Sequence, residues 1–356
     1  MSIKRKATLD DIAKLARVSK TAVSMILNEK EGVSFMSETV ERVLDAANKV
    51  GYVKKDSGNS PSRVFNENTI LVLSPSVTSP YYANLIQSIE QMAALRDLRV
   101  IIVNTFREKE KELEALKMVK GTNLYGIIST MTPQSIDELE EVNERIPVVV
   151  ISDRGNDLGV DMVEINNYSA GVLIAKHMIE LGHKNVAYIS TTLDAVNMAR
   201  VRRLEGLTDT YKDQCPDGKI IVKSRNITPE EELETIDIEH NVGYELALEA
   251  LKIKDITGFI AVNDMVAYGV MDAVLDRNFK IPMDYSVCGF DNLLPSRFKN
   301  VSLTTVEPHI VSKGKDSVEM LINRHESPGN VYRSTKILYR HELIIRNSTA
   351  TPRENM

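Results

Sequence analysis

From Thr69 onward the sequence alternates between short runs dense in Val and Ile and longer stretches with helical spacing. The runs include "TILVLSPS", "RVIIVNT", "GIIST", "PVVVISD", "NVAYIS", "GFIAVND" and "YSVCGFD", and a turn follows each one. Strands that are apolar along their whole length are typical of parallel sheets that helices cover on both faces. About eight such strand–helix units over roughly 280 residues predict two sheets, and therefore two subdomains in an α/β body.

Polar side chains stand where several of these predicted strands end. In doubly wound sheets, ligands bind beyond the carboxyl ends of the strands, so residues far apart in sequence can meet in one cleft. Those residues are Ser76 to Tyr82, Asp153, Arg154, Asn263, Asp264 and Asp291. Carboxylates accept hydroxyls, Arg donates in a fork and Tyr offers an apolar face, which together suit a polyol or sugar. The alternative is that each Asp only caps the next helix.

The first 52 residues carry a helical pattern instead of strands. We expect Thr8 to cap a first helix, Ser19 to cap a second, and a third helix to run from about Ser37 to Val50. The side chains expected on the apolar faces are Ile12, Leu15, Ala16, Ala22, Val23, Ile26, Leu27, Val40, Val43, Leu44 and Ala47. The following stretch, "KKDSGNSPSRVFNEN", is polar and rich in Ser, Gly and Asn, which indicates a linker.

Charge is distributed unevenly between this helical head and the rest of the chain. Residues 1–55 contain eleven Lys and Arg against seven Asp and Glu, although the whole chain has a net charge of −6. A basic head on an acidic body favours a polyanionic partner for the head. The chain has two Cys, far apart, and its first residues lack the apolar core of a secretory signal. With no run long enough to span a membrane, these features predict a cytoplasmic protein without a membrane partner.

The segment "LARVSKTAVSMILN" predicts two helices joined at a tight turn. A helix-turn-helix unit places its second helix in the major groove of double-stranded DNA, with the first residues of that helix at base edges. The candidate base contacts are Lys20, Thr21, Ala22, Ser24 and Met25. Thr8 and Ser19 can reach phosphates, and Asn28 the DNA backbone. A three-helix protein-interaction module would show the same apolar spacing, so the spacing alone leaves both alternatives open.

The chain resembles the lactose-repressor (LacI/GalR) family from about residue 7 to residue 350. The head resemblance lies in "TLDDIAKLARVSKTAVSMILN" and "SETVERVLDAANKVGY". The body resemblance lies, in order, in "SPYYANLIQSIEQMA", "PVVVISDR", "NNYSAGVLIAKHMIELGHKNVAYIS", "RRLEGL", "VGYELALEAL", "FIAVNDMVAYGVMDAV", "IPMDYSVCGFDN" and "LIIRNSTA". The agreement in order and spacing is more specific than any single motif.

The resemblance implies a homodimeric repressor, or a tetramer, that binds a pseudo-palindromic operator and a small effector, most often a sugar. It implies an α/β fold with a small all-α helix-turn-helix head and a two-subdomain, periplasmic-binding-protein-like body of doubly wound parallel sheets. The effector candidates that it carries over are Tyr81, Tyr82, Asp153, Arg154, Arg203, Asn263 and Asp291, and the strand-end argument adds Ser76. Arg203 matches an Arg that clamps ligand in the family, and Asp291 a carboxylate that accepts ligand hydroxyls.

The resemblance also sets the expected boundaries of the domains. Residues 1–53 form the DNA-binding domain, 54–68 a linker or atypical hinge, and 69–350 the effector-binding and dimerisation domain. Within that domain, one subdomain takes about 69–165 and 295–328, and the other takes about 166–294 and 329–347.

Several positions depart from the family pattern. Arg17 replaces a small turn residue, Ala22 replaces a Thr, and Met25 replaces a residue that is often cationic. Arg17 fits its position if φ there is negative, and it adds a charge that can reach a phosphate. Where the family has a short hinge helix, this chain has "VKKDSGNSP", whose Gly and Pro disfavour a helix. Lys54 and Lys55 are candidate phosphate contacts instead.

One further departure and two alternatives concern the signal that the body receives. Ile238 stands near a position that often holds a stacking aromatic residue. A phosphorylated carrier protein could replace the sugar as effector, as in some relatives, and a sugar-binding transport protein is the alternative from another class. The sequence contains no phosphate-binding loop, G-x-S-x-G motif or His/Cys metal cluster, so we expect neither an enzyme nor a bound cofactor or metal.

Overall fold

The computed structural model describes residues 8–27, 35–50, 52, 65–153, 158–326 and 334–353. The chain divides into two compact units, Met1–Arg63 and Val64–Met356, called here the head and the body. Within the described ranges, no helix is both long and apolar enough to cross a membrane.

The head consists of three helices, α1 (Leu9–Ala16), α2 (Lys20–Leu27) and α3 (Ser37–Val50). Thr8 and Asp11 cap α1 reciprocally, since the Thr8 backbone N donates to Asp11 Oδ2 at 2.8 Å and Thr8 Oγ1 accepts from Asp11 N at 3.4 Å. Ser19 Oγ accepts from the Ala22 backbone N at 3.1 Å and so caps α2. These caps satisfy N–H groups that a helix start leaves unpaired. Both helices therefore begin where the sequence predicts.

The head core is narrower than the sequence pattern predicts. Ile12, Val23 and Val43 are fully buried, as expected. Leu15 and Leu44, which the pattern placed on apolar faces, are 51% and 47% exposed, so their predicted burial was wrong. Three short helices bury only one stripe each, and both leucines lie at the edge of their stripe.

The body alternates strands with helices throughout, and its element bounds follow in chain order. The strands are β1 (Thr69–Ser74), β2 (Arg99–Asn104), β3 (Gly126–Ser129), β4 (Val148–Asp153), β5 (Asp161–Ile165), β6 (Asn185–Ser190), β7 (Lys219–Ser224), β8 (Gly258–Ala261), β9 (Ser286–Phe290), β10 (Thr304–Glu307), β11 (Lys336–Leu338) and β12 (Glu342–Ile344). The helices are α4 (Pro80–Ala94), α5 (Lys109–Val119), α6 (Ile136–Asn143), α7 (Asn167–Glu180), α8 (Met198–Gln214), α9 (Pro229–Glu234), α10 (Ile238–Ala250), α11 (Asp264–Asp276) and α12 (Ile310–Glu326), with a 3-10 turn at Leu294–Arg297.

These strands form two six-stranded sheets, as the strand count predicts. The amino lobe is built on the order β11-β5-β4-β3-β1-β2, in which every pair is parallel. The carboxyl lobe is built on the order β12-β10-β9-β8-β6-β7, parallel except where β12 joins β10. Helices cover both sheets, and the apolar strands form the cores of the two lobes. The doubly wound α/β fold is confirmed.

Two short strands depart from the predicted subdomain boundaries. Strand β10 was expected in the first subdomain but pairs with β9 of the carboxyl lobe. Strand β11 was expected in the second but pairs with β5 of the amino lobe. The chain consequently crosses between lobes at Asn166, at Pro308–His309 and at Tyr339–His341. Strands of three or four residues carry too little pattern to reveal which sheet accepts them.

Candidate functional site

A cleft lies where the carboxyl ends of both sheets face each other, with a volume of about 920 Å³ counted to its open mouth. Its lining includes six of the eight predicted effector residues, which are Tyr81, Tyr82, Asp153, Arg203, Asn263 and Asp291. They come from loops or helix starts after five different strands, as the strand-end argument requires.

Arg203 and Asp291 form the floor of the cleft. Arg203 donates through Nε to Asn167 Oδ1 at 2.9 Å and through Nη1 to the Val262 carbonyl at 2.6 Å. Its Nη2 lies 3.7 Å from Asp291 Oδ1, and its guanidinium stacks 4.6 Å from the centre of the Phe290 ring. Both charged side chains are buried. Such a pair presents a fixed donor and acceptor to a polar ligand.

The position of Arg203 depends on a close crossing of α7 and α8. A Cβ added to Gly171 would lie 2.1 Å from the Arg203 carbonyl oxygen. Since real Cβ atoms do not approach backbone oxygen so closely, only glycine fits there, and the side chain of Arg203 is held by the backbone that carries it.

A second buried cation faces the floor from the amino lobe. Lys313, on α12, is fully buried and donates through Nζ to the Tyr81 hydroxyl at 2.6 Å. Burial lowers the pKa of Lys313 to about 7, while the charge of Asp291 acts in the opposite direction. Burial raises the pKa of Asp291 to about 8, against the lowering effect of Arg203. The floor therefore holds charged groups that burial pushes towards neutrality.

Asp291 also adopts an unusual backbone conformation. Its φ is 115°, in a region that favours glycine. A residue held there stores strain that the surrounding structure must offset, and such residues cluster at ligand-binding sites.

Two predicted residues line the cleft and also accept from backbone N–H groups in the first turn of a helix; for Asp153 this is the capping alternative raised above. Asn263 Oδ1 accepts from the Val266 backbone N at 2.9 Å, and its Nδ2 donates to Glu239 Oε2 at 2.9 Å. Asp153 Oδ1 accepts from the Asn167 backbone N at 3.0 Å. Asp264, by contrast, is fully buried and accepts from Leu293 N, Ser296 Oγ and Thr305 Oγ1, which makes it a loop support.

The remaining two predicted residues are not among those that line the cleft. Ser76 is buried, its Oγ accepts from the Ser79 backbone N at 3.2 Å, and its role as an effector contact stays a prediction. A serine one turn before a helix satisfies that helix start more readily than a ligand. Arg154 lies outside the described residues.

The cleft also contains residues that the sequence argument missed, among them Arg107, Asn167, Arg200 and Glu239. Arg107 comes three residues after β2, so the strand-end rule could have found it. Arg200 precedes Arg203 by three residues, which places both on one face of α8. Asn167 Nδ2 is buried and has no hydrogen-bond partner among the described residues. Lys313, near the start of α12, follows no predicted strand end and carries no such signal.

The predicted DNA contacts of the head divide by exposure. Arg17, Ser19, Lys20 and Thr21 are exposed, whereas Thr8, Ala22, Ser24 and Met25 are half-buried. Lys20 Nζ lies 2.8 Å from Asp10 Oδ2, with both side chains more than half exposed. An exposed pair of this kind is weak, so Lys20 remains available to a ligand.

The remaining points on the head concern three predicted DNA contacts and the backbone of Arg17. Asn28, Lys54 and Lys55 lie outside the described residues. Arg17 ends α1 with a φ of 55°, so the condition of a negative φ is not met. That position is left-handed because it turns the chain from α1 into α2, a place where glycine is least strained.

Both parts of the chain match family models. Residues 8–55 match the model of bacterial regulatory proteins of the lacI family. Residues 67–346 match the model of periplasmic binding proteins and the sugar-binding domain of the LacI family. Together these matches span most of the chain, head and body alike.

Similar proteins of known name or structure cover the same span. The chain is 30% identical to the transcriptional repressor PurR of Haemophilus influenzae strain PittEE, over 96% of this chain and 98% of PurR. It is 29% identical to the NTD biosynthesis operon regulator NtdR of Bacillus subtilis strain 168, over 96% of this chain and 99% of NtdR. A LacI-family regulator of Enterococcus faecalis V583, solved with bound ribose, is 25% identical, with a TM-score of 0.66 over 80% of this chain and all of that one. The chain belongs to the LacI family of bacterial transcriptional regulators.

Proposed function

We propose that this protein is a cytoplasmic transcriptional repressor that binds operator DNA through its head and a sugar or sugar derivative in the cleft of its body. The observation that carries the proposal is the presence, in one chain, of a helix-turn-helix head and of a polar cleft at the strand ends of a two-lobed body. The relative solved with ribose supports a sugar as the effector.

On the head, the exposed start of α2 is the DNA-reading surface. Lys20 and Thr21 offer a donor and a hydroxyl to base edges in the major groove, and Met25 offers an apolar contact such as a thymine methyl group. Arg17 and Ser19 lie beside the same helix start, where phosphates bind. One head reads one half-site, so a homodimer on a pseudo-palindromic operator is the expected complex, with a tetramer of two such dimers as the larger alternative.

In the body, an effector between the lobes makes contacts with both. Tyr81 and Tyr82 belong to the amino lobe, whereas Arg203, Asn263 and Asp291 belong to the carboxyl lobe. A ligand that touches both lobes stabilises the arrangement in which all its contacts are made. The coupling between effector and operator is the difference in effector affinity between that arrangement and others.

The proposal is tested with the full chain in two steps. Selection from random duplex DNA at physiological salt should enrich a pseudo-palindromic sequence, and the affinity for it should fall steeply with salt concentration. In a thermal-shift screen of sugars and sugar phosphates, the effector should then raise the unfolding temperature, because a ligand that binds the native state stabilises that state. The same ligand should change operator affinity. No preference over random duplex would contradict the regulator function, and a ligand without effect on the operator would contradict the coupling.

A further inference from the structure

The mouth of the cleft carries a second group of charges, distinct from the Arg203–Asp291 floor. We call Tyr82, Arg107, Arg200, Glu232 and Glu239 the outer charge cluster. Tyr82 and Arg107 come from the amino lobe, and the other three from helices α8, α9 and α10 of the carboxyl lobe. All except Glu232 line the cleft. The cluster therefore spans both lobes at the place where a bound effector would extend beyond the floor.

Each arginine of the cluster has a carboxylate neighbour. Arg107 Nη1 donates to Glu232 Oε1 at 2.9 Å and Oε2 at 3.3 Å. Arg200 makes longer contacts, from Nη2 to Glu239 Oε1 at 3.5 Å and from Nη1 to the Thr192 carbonyl at 3.3 Å. The four charged side chains are only 14–20% exposed, which is low enough for their charges to interact strongly.

Arg200 is loosely held and has a donor to spare. A guanidinium carries five N–H donors. The hydrogen bonds described for Arg200 use Nη1 and Nη2, at 3.3 Å and 3.5 Å, and none of them uses Nε. Arg107 is bound more tightly, through Nη1 to Glu232 and through a side-chain hydrogen bond to Tyr82. Both guanidiniums line the cleft.

The two guanidiniums also repel each other. Burial, and next the charge of Arg107, lower the pKa of Arg200. Like charges held together away from water are costly unless an anion lies between them. Glu239 also accepts from Asn263, and Glu232 bonds to Arg107 from outside the lining, so Arg200 shares each carboxylate with another partner.

We infer that the outer charge cluster is a subsite for an anionic group on the effector, a phosphate or carboxylate that Arg107 and Arg200 clamp from the two lobes. The inference rests on the proposed function and names its ligand class, an acidic or phosphorylated sugar derivative instead of a neutral sugar. Arg is suited to this task because its planar fork binds such groups through two parallel hydrogen bonds. Because Arg107 donates to Glu232, a ligand anion would compete with that carboxylate for the guanidinium.

Because Glu232 and the ligand compete for Arg107, substitutions of Arg107 and of Glu232 should change the phosphate affinity in opposite directions. The probe is inorganic phosphate, titrated calorimetrically into the full chain at constant ionic strength, since added salt alone screens charges. Wild-type protein should bind it. R107Q should bind it at least about tenfold more weakly, the usual order for a lost charge-assisted contact, whereas E232Q should bind it more tightly because Arg107 is freed. R202Q, which removes a charge from the exposed side of the same helix as Arg200, should behave as wild type.

The outcomes separate the subsite from a purely structural latch between lobes. If Arg107 and Glu232 only hold the lobes together, R107Q and E232Q should lower the free energy of unfolding to a similar extent. They should then also change the phosphate affinity in the same direction. That result, or the absence of phosphate binding to wild-type protein, overturns the inference. Glucose, glucose 6-phosphate and gluconate then distinguish phosphate from carboxylate, and a preference for the neutral sugar also overturns it. If the subsite inference fails but a neutral sugar still alters operator affinity, the proposed function stands. If the protein binds no operator at all, the proposed function fails as well.

Discussion

The head and the cleft floor both present charged side chains to a ligand, but they do so in opposite surroundings. In the head, Lys20 and its neighbour Asp10 are 60% and 58% exposed. At the floor, Arg203 and Asp291 are 10% and 6% exposed, although their charged atoms are farther apart. Water screens the first pair, and the protein interior does not screen the second. Substitutions should therefore act locally and mildly in the head, and strongly in the cleft.

The largest effect is expected from Asp291→Ala. Removing the carboxyl group leaves the buried Arg203 guanidinium without the acceptor that lies 3.7 Å from its Nη2, and an unsatisfied buried group of this kind lowers the free energy of unfolding by about 1–3 kcal/mol. We expect the effector to lose its influence, while operator affinity stays largely intact because the head is a separate compact unit. Calorimetry with the effector and gel-shift assays with the operator measure the two effects. Loss of DNA binding with unchanged effector affinity would contradict the role given to Asp291.

In the head, Lys20→Ala should lower the affinity for the selected operator by about 1–3 kcal/mol if Lys20 contacts a base. The stability of the head should barely change, because the exposed pair with Asp10 contributes little. Gel-shift titrations against operator variants measure the effect, with Lys49→Ala, a charge near the end of α3, as the matched control. A uniform loss over all sequences, with a salt slope reduced by about one, would place Lys20 on a phosphate instead.

A smaller effect should appear as a pH dependence confined to the cleft. Asp291 has a pKa of about 8 in the folded protein against an ordinary 3.8, so between these values the folded state holds one more proton than the unfolded state. The free energy of unfolding should then fall as pH rises, by at most about 1.4 kcal/mol per pH unit. Denaturant unfolding between pH 5 and pH 7 should show this slope for wild type relative to Asp291→Asn. Parallel curves would mean that Asp291 is ionised throughout.

The smallest effect concerns the turn of the head. Arg17 has a φ of 55°, and a non-glycine residue in that region costs roughly 1 kcal/mol. Arg17→Gly should relieve this strain. Part of the gain in stability is offset by the conformational entropy that glycine adds to the unfolded chain. Hydrogen exchange of α1 and α2 amides in the full chain should slow slightly. Arg17→Ala is the control, because it removes the same charge and keeps the strained φ; equal slowing in both variants would show that the charge, and not φ, is responsible.

Much of the site was predictable because strand ends are local signals. Asp153, Asn263 and Asp291 each follow a run of apolar residues directly, and parallel sheets bring such positions to one edge. Ser76 also follows a strand, but its hydroxyl accepts from the backbone N of Ser79, just before the next helix. Whether a strand-end side chain points at the cleft or at its own backbone depends on the loop conformation, which spacing does not encode.

The sequence by itself determined the order of the elements, the caps of α1 and α2, and the division into a helical head and an α/β body, because each depends on neighbours within a few residues. Only the tertiary structure decided which sheet receives β10 and β11, the left-handed turn at Arg17, and the meeting of Lys313 with Tyr81 across 232 residues. The same holds for the outer charge cluster, whose arginines come from different lobes. Contacts of this range follow from how packed elements close on each other, and no local pattern records that closure.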